Sequence, residues 1–349
     1  MICINDQHTD PYFNLAAEEY LLKSLTDNCF MLWRNEPSVI VGRHQNTLAE
    51  INTDYVKRNN IKIVRRLSGG GAVFHDLGNL NFTFIENAQN EKLIDFQKYT
   101  QPIIDVLRQL GVDARFEGRN DLVIDGKKFS GNAEHVFRGR VLHHGTLLFA
   151  SELTDLSGAL NANPAKFTDK AIKSVRSRVT NISSHLKEPL DVEQFRDRVL
   201  HYMMNHDSDC KPYCYNDTDL TAISKLRDEK YATWDWNFGQ SPGYNMVNGI
   251  RTGGGYLEAH LDVQKGMISR VRFFGDFFNI GDINELEQLL AGIPHNETNI
   301  RHKLEQINLS DYLVNITVDE LVMALNALHY TSFCAKCKQA RNDELLRQQ

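Results

Sequence analysis

The sequence lacks the features that mark secreted, membrane-spanning and nucleic-acid-binding proteins. Its first ten residues, MICINDQHTD, contain neither a basic segment nor an apolar core, so no secretory signal is visible. No apolar run approaches the roughly 20 residues that cross a bilayer. The net charge of −6 argues against a general binder of nucleic acids or membrane surfaces. We therefore expect a cytoplasmic protein that binds neither nucleic acid nor membrane.

Cysteine is also scarce, with six residues among 349. Cys210/Cys214 and Cys334/Cys337 have spacings that could provide half of a zinc site, and the second pair could instead be redox-active. Neither pair is joined by another pair at zinc-finger spacing. We expect reduced, unpaired thiols, as is usual in cytosolic enzymes, and no metal site built from protein ligands alone. The zinc interpretation stays open as the less favoured one.

Length and residue patterns predict two domains of the α+β class. A chain of 349 residues commonly forms about two domains. Helical patterns over Asp10–Leu25 and Phe96–Leu110 alternate with strand-like runs and a hairpin signal at Asp125-Gly126, which favours a mainly antiparallel sheet over regular βαβ repeats. The glycine-rich stretch 239–255 has the composition of a linker. We therefore predict one domain over residues 1–245 and a second, small α/β domain over residues 246–349.

Three local expectations follow from the same patterns. Asp10–Leu25 is predicted to be an amphipathic helix that begins at an Asp-Pro start signal. The runs Cys29–Trp33 and Ser38–Gly42 are predicted to pair as neighbouring strands. Asn79–Phe84 alternates apolar with polar residues, which is typical of a half-buried strand.

One segment, RRLSGGGAVFHDLGNLNFTF from Arg65 to Phe84, calls for a functional explanation. Three consecutive glycines increase the entropy lost on folding, and glycine lets backbone N–H groups approach an anion closely. The segment does not match a Walker A loop, which needs Gly-Lys-Ser/Thr, and Phe74 stands where a dinucleotide-binding fingerprint needs glycine. A tight turn between strands is the alternative, made less favoured by the two preceding arginines and the following histidine.

Lys128 is a second candidate site residue. It lies on the strand that returns from the Asp125-Gly126 turn, after Asn120 and Asp121 and before small polar residues that leave room for a ligand. One lysine charge can bridge a carboxylate and a phosphate. Lys127 should point to the other face of the strand, towards solvent.

His143 and His144 are adjacent, so their side chains should lie on opposite faces of a strand and rarely bind one metal ion. We therefore expect one of the two histidines to line a pocket, with Gly145 making room beside it.

Five separated motifs resemble those of bacterial lipoate–protein ligases, members of the biotin/lipoate ligase superfamily. These motifs are RRLSGGGAVFHDLGNLNFTF, GRNDLVIDGKKFSGNA, HHGTLLF, KSVRSRVTN and WDWNFG, and they follow one another in the family's order and spacing. The resemblance implies a catalytic domain with a class II synthetase-like fold. It also implies that lipoate and MgATP form lipoyl-AMP, whose lipoyl group passes to one lysine of a lipoyl domain. The acceptors implied are E2 subunits of 2-oxoacid dehydrogenases and the glycine cleavage H protein.

The resemblance also implies roles for individual residues. Lys128 becomes the catalytic lysine and contacts both substrates. The residues implied to bind ATP are Arg66, Gly71, Ala72, Val73, Phe74 and Lys128. The residues implied to bind lipoate are Arg66, Ser68, Gly70, His75, Lys128, His144 and Gly145. Asn120 and Asp121 are candidates for contacts with Mg²⁺ or phosphate. The chain departs from the family at His135, where an arginine is expected, and the basic segment Ala165–Asn181 is implied to cover the adenylate.

Three other functions compete with the ligase. An octanoyl or lipoyl transferase of the same fold would hold the acyl group on a cysteine, but no cysteine lies between Cys29 and Cys210. A non-catalytic binding module is disfavoured because both Arg66 and Lys128 are present. A biotin ligase is disfavoured because its Gly-Arg-Gly-Arg-type loop is missing.

Overall fold

The structure is a computed structural model that describes residues 1–87, 95–118, 120–160, 167–169, 179–206, 210–241, 244–275, 277 and 282–326. In chain order, the strands are β1 (Ile2–Asn5), β2 (Cys29–Trp33), β3 (Ser38–Val41), β4 (Lys62–Arg65), β5 (Val73–His75), β6 (Asn79–Asn87), β7 (Ala114–Glu117), β8 (Asp121–Ile124), β9 (Lys127–Phe137), β10 (Arg140–Leu148), β11 (Phe167–Asp169), β12 (Lys211–Pro212), β13 (Tyr244–Thr252), β14 (Gly255–Gln264) and β15 (Met267–Gly275). The α-helices are α1 (Pro11–Ser24), α2 (Thr47–Glu50), α3 (Thr53–Arg58), α4 (Phe96–Gln109), α5 (Leu153–Ala159), α6 (Val192–His206), α7 (Asp217–Leu226), α8 (Ile283–Leu290), α9 (Glu297–Glu305) and α10 (Val318–Leu325).

The chain divides into two compact units. The first unit comprises Met1–Gln45, Ile61–Leu160 and Ile172–Asn237, and the second comprises Asn46–Asn60, Asn161–Ala171 and Phe238–Gln349. No helix in the described ranges has both the length and the apolar character needed to cross a membrane.

The first unit contains an eight-stranded sheet in the order β12-β1-β2-β6-β10-β9-β8-β7 and a three-stranded sheet in the order β4-β3-β5. In the large sheet, β1 pairs in parallel with β12 and with β2, and the remaining neighbours are antiparallel. The predicted α+β class is therefore confirmed. The hairpin at Asp125-Gly126 is also confirmed, with φ values of 50° and 69° that are typical of a two-residue type I′ turn.

The predicted pairing of the second and third strands is wrong. β2 pairs with β1 and β6 in the large sheet, whereas β3 pairs with β4 and β5 in the small one. Every residue of both strands is buried. An apolar run of this kind predicts a strand with neighbours on both sides, but it does not identify those neighbours.

Helix α1 and strand β6 are more buried than their patterns predicted. Asp10 caps α1 by accepting a hydrogen bond from the backbone N–H of Tyr12, and Pro11 occupies the first helical position, as expected. The helix is not simply amphipathic, however, because Glu18 is only 3% exposed. On β6 the polar residues Asn81 and Thr83 are each 1% exposed, so the strand is buried on both faces. These buried polar groups bond to one another, as described below.

The expectation of unpaired thiols is wrong for one pair, because Cys3 and Cys210 form a disulfide. β1 and β12 pair in parallel immediately beside these residues, and this pairing brings the two Cα atoms to 6.3 Å, within the usual range for a disulfide. A sequence separation of 207 residues gives no sign of such a contact. Cys29 and Cys214 are free thiols, while Cys334 and Cys337 lie outside the described residues.

The second unit contains a four-stranded sheet in the order β11-β13-β14-β15. Its buried cluster joins the inward side chains of β14 to helices α8, α9 and α10 and also includes Leu48 and Ala49 of α2. The stretch predicted to be a linker instead contains β13. Gly249 of that strand leaves room for Tyr256, since a Cβ there would lie 2.0 Å from the Tyr256 hydroxyl oxygen.

We predict that Leu80→Ala lowers the free energy of unfolding by about 2–5 kcal/mol, because Leu80 is fully buried in the first unit and its truncation leaves a cavity. Leu77 is the matched control, since it is 46% exposed, and Leu77→Ala should change stability by less than about 0.5 kcal/mol. Denaturant unfolding of both variants measures the difference. Equal effects would show that the packing around β6 is described incorrectly.

Candidate active site

Arg66 fixes the conformation of the glycine loop, which we define as residues 67–72. Its Nη2 donates hydrogen bonds to the carbonyl oxygens of Gly69 (2.6 Å) and Gly71 (2.8 Å), and its Nη1 donates to that of Ile40 (3.0 Å). Its Nε donates to Ser68 Oγ at 3.0 Å. Burial lowers the pKa of Arg66 to about 10, so the guanidinium remains charged near pH 7. The loop therefore encloses a permanent cation.

Gly42 allows the chain to approach this loop closely. A Cβ at Gly42 would lie 2.0 Å from the carbonyl oxygen of Gly70, whose φ of +90° itself favours glycine. In contrast, a Cβ at Gly69 would have no neighbour within 4 Å. Only some glycines of the motif are thus required by packing within the protein.

Arg65 stabilises the backbone around Gly42, next to the glycine loop. Its side chain is fully buried and donates hydrogen bonds to the carbonyl oxygens of Gly42 (2.9 Å), Gln45 (2.8 Å), Trp236 (3.1 Å) and Asn237 (3.0 Å). Burial lowers its pKa to about 10, again leaving the side chain charged near pH 7. The WDWNFG motif therefore supplies acceptors for a structural arginine, a role that its sequence did not reveal.

A chain of buried side chains connects α1 to the glycine loop. Glu18 accepts a hydrogen bond from the Thr83 hydroxyl at 2.6 Å, and its carboxylate lies 2.9 Å from His144 Nδ1. His144 Nε2 is in turn 2.6 Å from Ser68 Oγ, which receives the bond from Arg66. Glu18 was not predicted as a site residue. Only the structure shows that it orients the imidazole.

Lys128 lies on β9 beside a carboxylate. Its Nζ is 2.8 Å from Asp121 Oδ1, and its side chain is 28% exposed. A Cβ at Gly131 would lie 3.0 Å from this ammonium group, so glycine leaves it room. The backbone of Lys128 forms a parallel bridge with Val179 and accepts a hydrogen bond from the N–H of Thr180. Residues 170–178, which include most of the predicted basic cover, lie outside the described ranges.

His143 and His144 point to opposite faces of β10, as predicted. His143 Nδ1 is 2.9 Å from Glu134 Oε1 and its Nε2 is 3.3 Å from Asn132 Oδ1, whereas His144 contacts Glu18 and Ser68 on the other face. Burial lowers the pKa of His143, with Glu134 acting in the opposite direction. Gly145 is required here, because a Cβ would lie 2.1 Å from Asn132 Oδ1. Among the described residues, no cluster of histidine, cysteine and carboxylate groups could hold a metal ion alone.

A cavity of about 370 Å³ in the first unit brings most of the predicted residues together. The predicted residues that line it are Arg66, Gly70, Gly71, Ala72, Val73, His75, Asn120, Asp121, Lys128, His144 and Gly145. Its apolar walls come mainly from Leu15, Trp33 and Ile40, which sequence reasoning did not identify because they look like ordinary core residues.

Two predicted residues, Ser68 and Phe74, are not part of the lining. Ser68 lies behind the cavity between Arg66 and His144. Phe74 alternates with Val73 and His75 along β5, so its ring faces the core and is 2% exposed. His135, where the resemblance leads us to expect an arginine, is likewise not among the lining residues.

Comparison with known proteins places this chain in a family. The model of the lipoyl protein ligase A/B catalytic domain matches residues 10–204, and that of the bacterial lipoate protein ligase C-terminus matches residues 241–325. The lipoate-protein ligase LplJ of Bacillus subtilis is 43% identical over an alignment of 327 residues that covers 92% of this chain and 99% of that protein.

Solved structures agree with the sequence matches. A crystal structure of lipoate-protein ligase A bound with ATP has a TM-score of 0.60 and 25% identity, covering 69% of this chain and 100% of that one. A bipartite lipoate protein ligase from Thermoplasma acidophilum, described with its E2 lipoyl domain, has a TM-score of 0.59 and 26% identity, covering 68% and 96%. The fold and the cavity thus define the catalytic domain of an acyl ligase. The chain belongs to the lipoate–protein ligase family, which confirms the resemblance seen in its motifs.

We predict that Gly42→Ala lowers kcat/KM for the activation of lipoate by about 10- to 100-fold. The new Cβ would displace the glycine loop, and small displacements at a reaction centre are costly. Gly69→Ala is the matched control and should stay within about threefold of the parent, since its Cβ enters open space. Steady-state kinetics of the two variants make the comparison. Similar losses in both would mean that the loop does not depend on the close approach at Gly42.

Proposed function

We propose that the chain is an ATP-dependent, AMP-forming lipoate–protein ligase. The observation that carries the proposal is Lys128, held beside Asp121 in a cavity that also has apolar walls and a glycine loop organised by Arg66. An apolar acid needs walls of this kind for its tail, and a carboxylate and a phosphate both need a cation. The ligases named above, one of them bound with ATP, support the same activity.

In the proposed first step, a carboxylate oxygen of lipoate attacks the α-phosphorus of ATP. The bond to the β-phosphate breaks, pyrophosphate leaves and lipoyl-AMP forms. Lys128 Nζ lies between the two anionic groups and offsets their repulsion as they approach. ATP contacts are assigned to Arg66, Gly71, Ala72, Val73, Phe74 and Lys128, and lipoate contacts to Arg66, Ser68, Gly70, His75, Lys128, His144 and Gly145. Of these residues, Ser68 and Phe74 lie behind the cavity lining and would support the residues that touch the substrates.

Mg²⁺ is the expected partner of ATP in this reaction, where it would neutralise phosphate charge. Asn120 and Asp121 offer side-chain oxygens at the cavity, and Mg²⁺ commonly takes only one or two carboxylates together with phosphate and water oxygens. These two residues are therefore assigned to Mg²⁺ or phosphate. Binding of Mg²⁺ at Asp121 would also release Lys128 from its ion pair.

In the proposed second step, the amine of an acceptor lysine attacks the carbonyl carbon of lipoyl-AMP. An amide bond forms, the bond from that carbon to the phosphate oxygen breaks, and AMP leaves. We assign the acceptors to the lipoyl domains of 2-oxoacid dehydrogenase E2 subunits and the glycine cleavage H protein. The T. acidophilum ligase, described with its E2 lipoyl domain, supports the first of these. We place the reaction in the cytoplasm.

We further propose that residues 1–245 form the catalytic domain and residues 246–349 an accessory domain that serves adenylation more than transfer. Every residue of the cavity lining precedes residue 246, which supports this division. The compact second unit nevertheless includes Asn46–Asn60, whose Leu48 and Ala49 pack with Met246 and Leu257. A chain truncated at Asn245 would therefore keep Leu48 and Ala49 but lose every other buried residue of that cluster.

A cysteine-dependent acyl transferase of the same fold is not favoured. Such an enzyme needs an accessible thiolate beside its acyl group. Cys29 is 1% exposed, and burial raises its pKa to about 12. No cysteine is found among the described residues that line the cavity.

We predict that Lys128→Ala lowers the rate of lipoate-dependent ATP–pyrophosphate exchange by about 10²–10³-fold, because one preorganised charge at the reaction centre is lost. Lys127→Ala is the matched control. Lys127 is exposed and outside the cavity lining, so its exchange rate should change by less than about threefold. Near-normal exchange in a folded Lys128→Ala variant would remove Lys128 from the mechanism.

A further inference from the structure

His75 is a buried histidine that lines the cavity with one ring nitrogen unused by the protein. The residue is 3% exposed. Its Nδ1 lies 3.0 Å from Asn35 Nδ2 and 3.4 Å from Asn81 Nδ2, whereas its Nε2 has no hydrogen-bond partner among the described residues. A buried polar atom without a partner is unusual and calls for an explanation.

The orientation of Asn35 follows from a chain of contacts that ends at the backbone. Asn14 Nδ2 lies 2.8 Å from the carbonyl oxygen of His8 and 2.9 Å from that of Arg34. Carbonyl oxygens only accept hydrogen bonds, so this atom of Asn14 must be the amide nitrogen. It also lies 2.9 Å from Asn35 Oδ1, which leaves the amide nitrogen of Asn35 to face His75.

The tautomer of His75 is determined by these amides. Asn79 Nδ2 donates to Asn81 Oδ1 at 2.8 Å, so Asn81 also turns its amide nitrogen towards His75. Two N–H donors therefore face Nδ1, which must be the unprotonated acceptor, and the ring proton is on Nε2. Burial lowers the pKa of His75 to about 3, with Arg66 and His144 contributing, so the ring is neutral near pH 7.

Several apolar side chains line the cavity together with His75. The Trp33 ring meets the imidazole edge-on at 5.9 Å between centroids, and Leu15, Ile40 and Val73 line the same cavity. An acid tail in contact with these side chains offers few acceptors. Beyond its carboxylate, lipoate has only the two sulfur atoms of its dithiolane ring as polar atoms, and a straight eight-carbon fatty acid has none.

We propose that the Nε2–H of His75 donates a hydrogen bond to a sulfur of the dithiolane ring and thereby favours lipoate over a fatty acid of the same chain length. The proposal rests on the function proposed above. Sulfur is a weak acceptor, but a fatty acid would exclude water from this donor without replacing it. A site with a buried donor discriminates against an analogue that lacks the acceptor.

The test compares lipoate with octanoate in ATP–pyrophosphate exchange. In the wild type, kcat/KM should be higher for lipoate, and His75→Leu should lower the lipoate-to-octanoate ratio by about 5- to 30-fold because the donor is lost. If the variant is less stable, the amount of active enzyme falls equally in the assays with lipoate and with octanoate. This loss therefore cancels in the ratio of the two kcat/KM values. Ile40→Val is the matched control, because it enlarges the cavity without changing the His75 donor. It should change kcat/KM for lipoate and for octanoate by the same factor.

A ratio that is the same in wild type and His75→Leu would overturn the proposal, and no exchange by the wild type with either acid would instead overturn the proposed function.

Nitrogen-15 NMR of histidine-labelled wild type gives a reading that does not depend on activity or on the folding of a variant. We expect the Nε2–H tautomer of His75, with an Nε2 shift on adding lipoate that octanoate does not cause. An Nδ1–H tautomer, or equal shifts with both acids, would also overturn it.

Discussion

The candidate site depends on two buried arginines whose donors bind backbone carbonyl oxygens. Arg65 holds the chain around Gly42, and Arg66 holds the glycine loop against it. A buried guanidinium is costly unless its donors are satisfied, so the loop and the cations stabilise each other. This arrangement explains why two arginines precede three glycines: the first positions the region and the second organises the loop around a charge.

Buried polar side chains on α1, on β6 and in the connection after β2 determine the details of the site. Glu18 orients His144, and Asn35 and Asn81 determine which nitrogen of His75 carries the proton. The second shell of a site commonly fixes tautomers in this way. The same helix and strand also contribute to the core of the first unit, so the stability of the fold and the chemistry of the cavity depend on shared residues.

Much of the fold and the site could be predicted from the sequence because the information was local. The bounds of α1, the hairpin at Asp125-Gly126 and the opposite faces of His143 and His144 follow from start signals, turn residues and strand alternation. The pairing of β2 and β3 and the Cys3–Cys210 disulfide depend on contacts between distant segments, which periodicity does not contain. β13 was missed because its glycines are typical of linkers, although one of them accommodates Tyr256.

The proposed function requires the cavity to make an acyl adenylate rather than an acyl thioester. The most direct measurement incubates the full chain with ATP, lipoate and a purified lipoyl domain, and follows both proteins by intact mass and the nucleotides by chromatography. We expect one lipoyl group on the acceptor lysine, an equal amount of AMP, and no acyl group retained covalently by the enzyme. An acyl group on an enzyme cysteine, or lipoylation that proceeds without ATP, would contradict it.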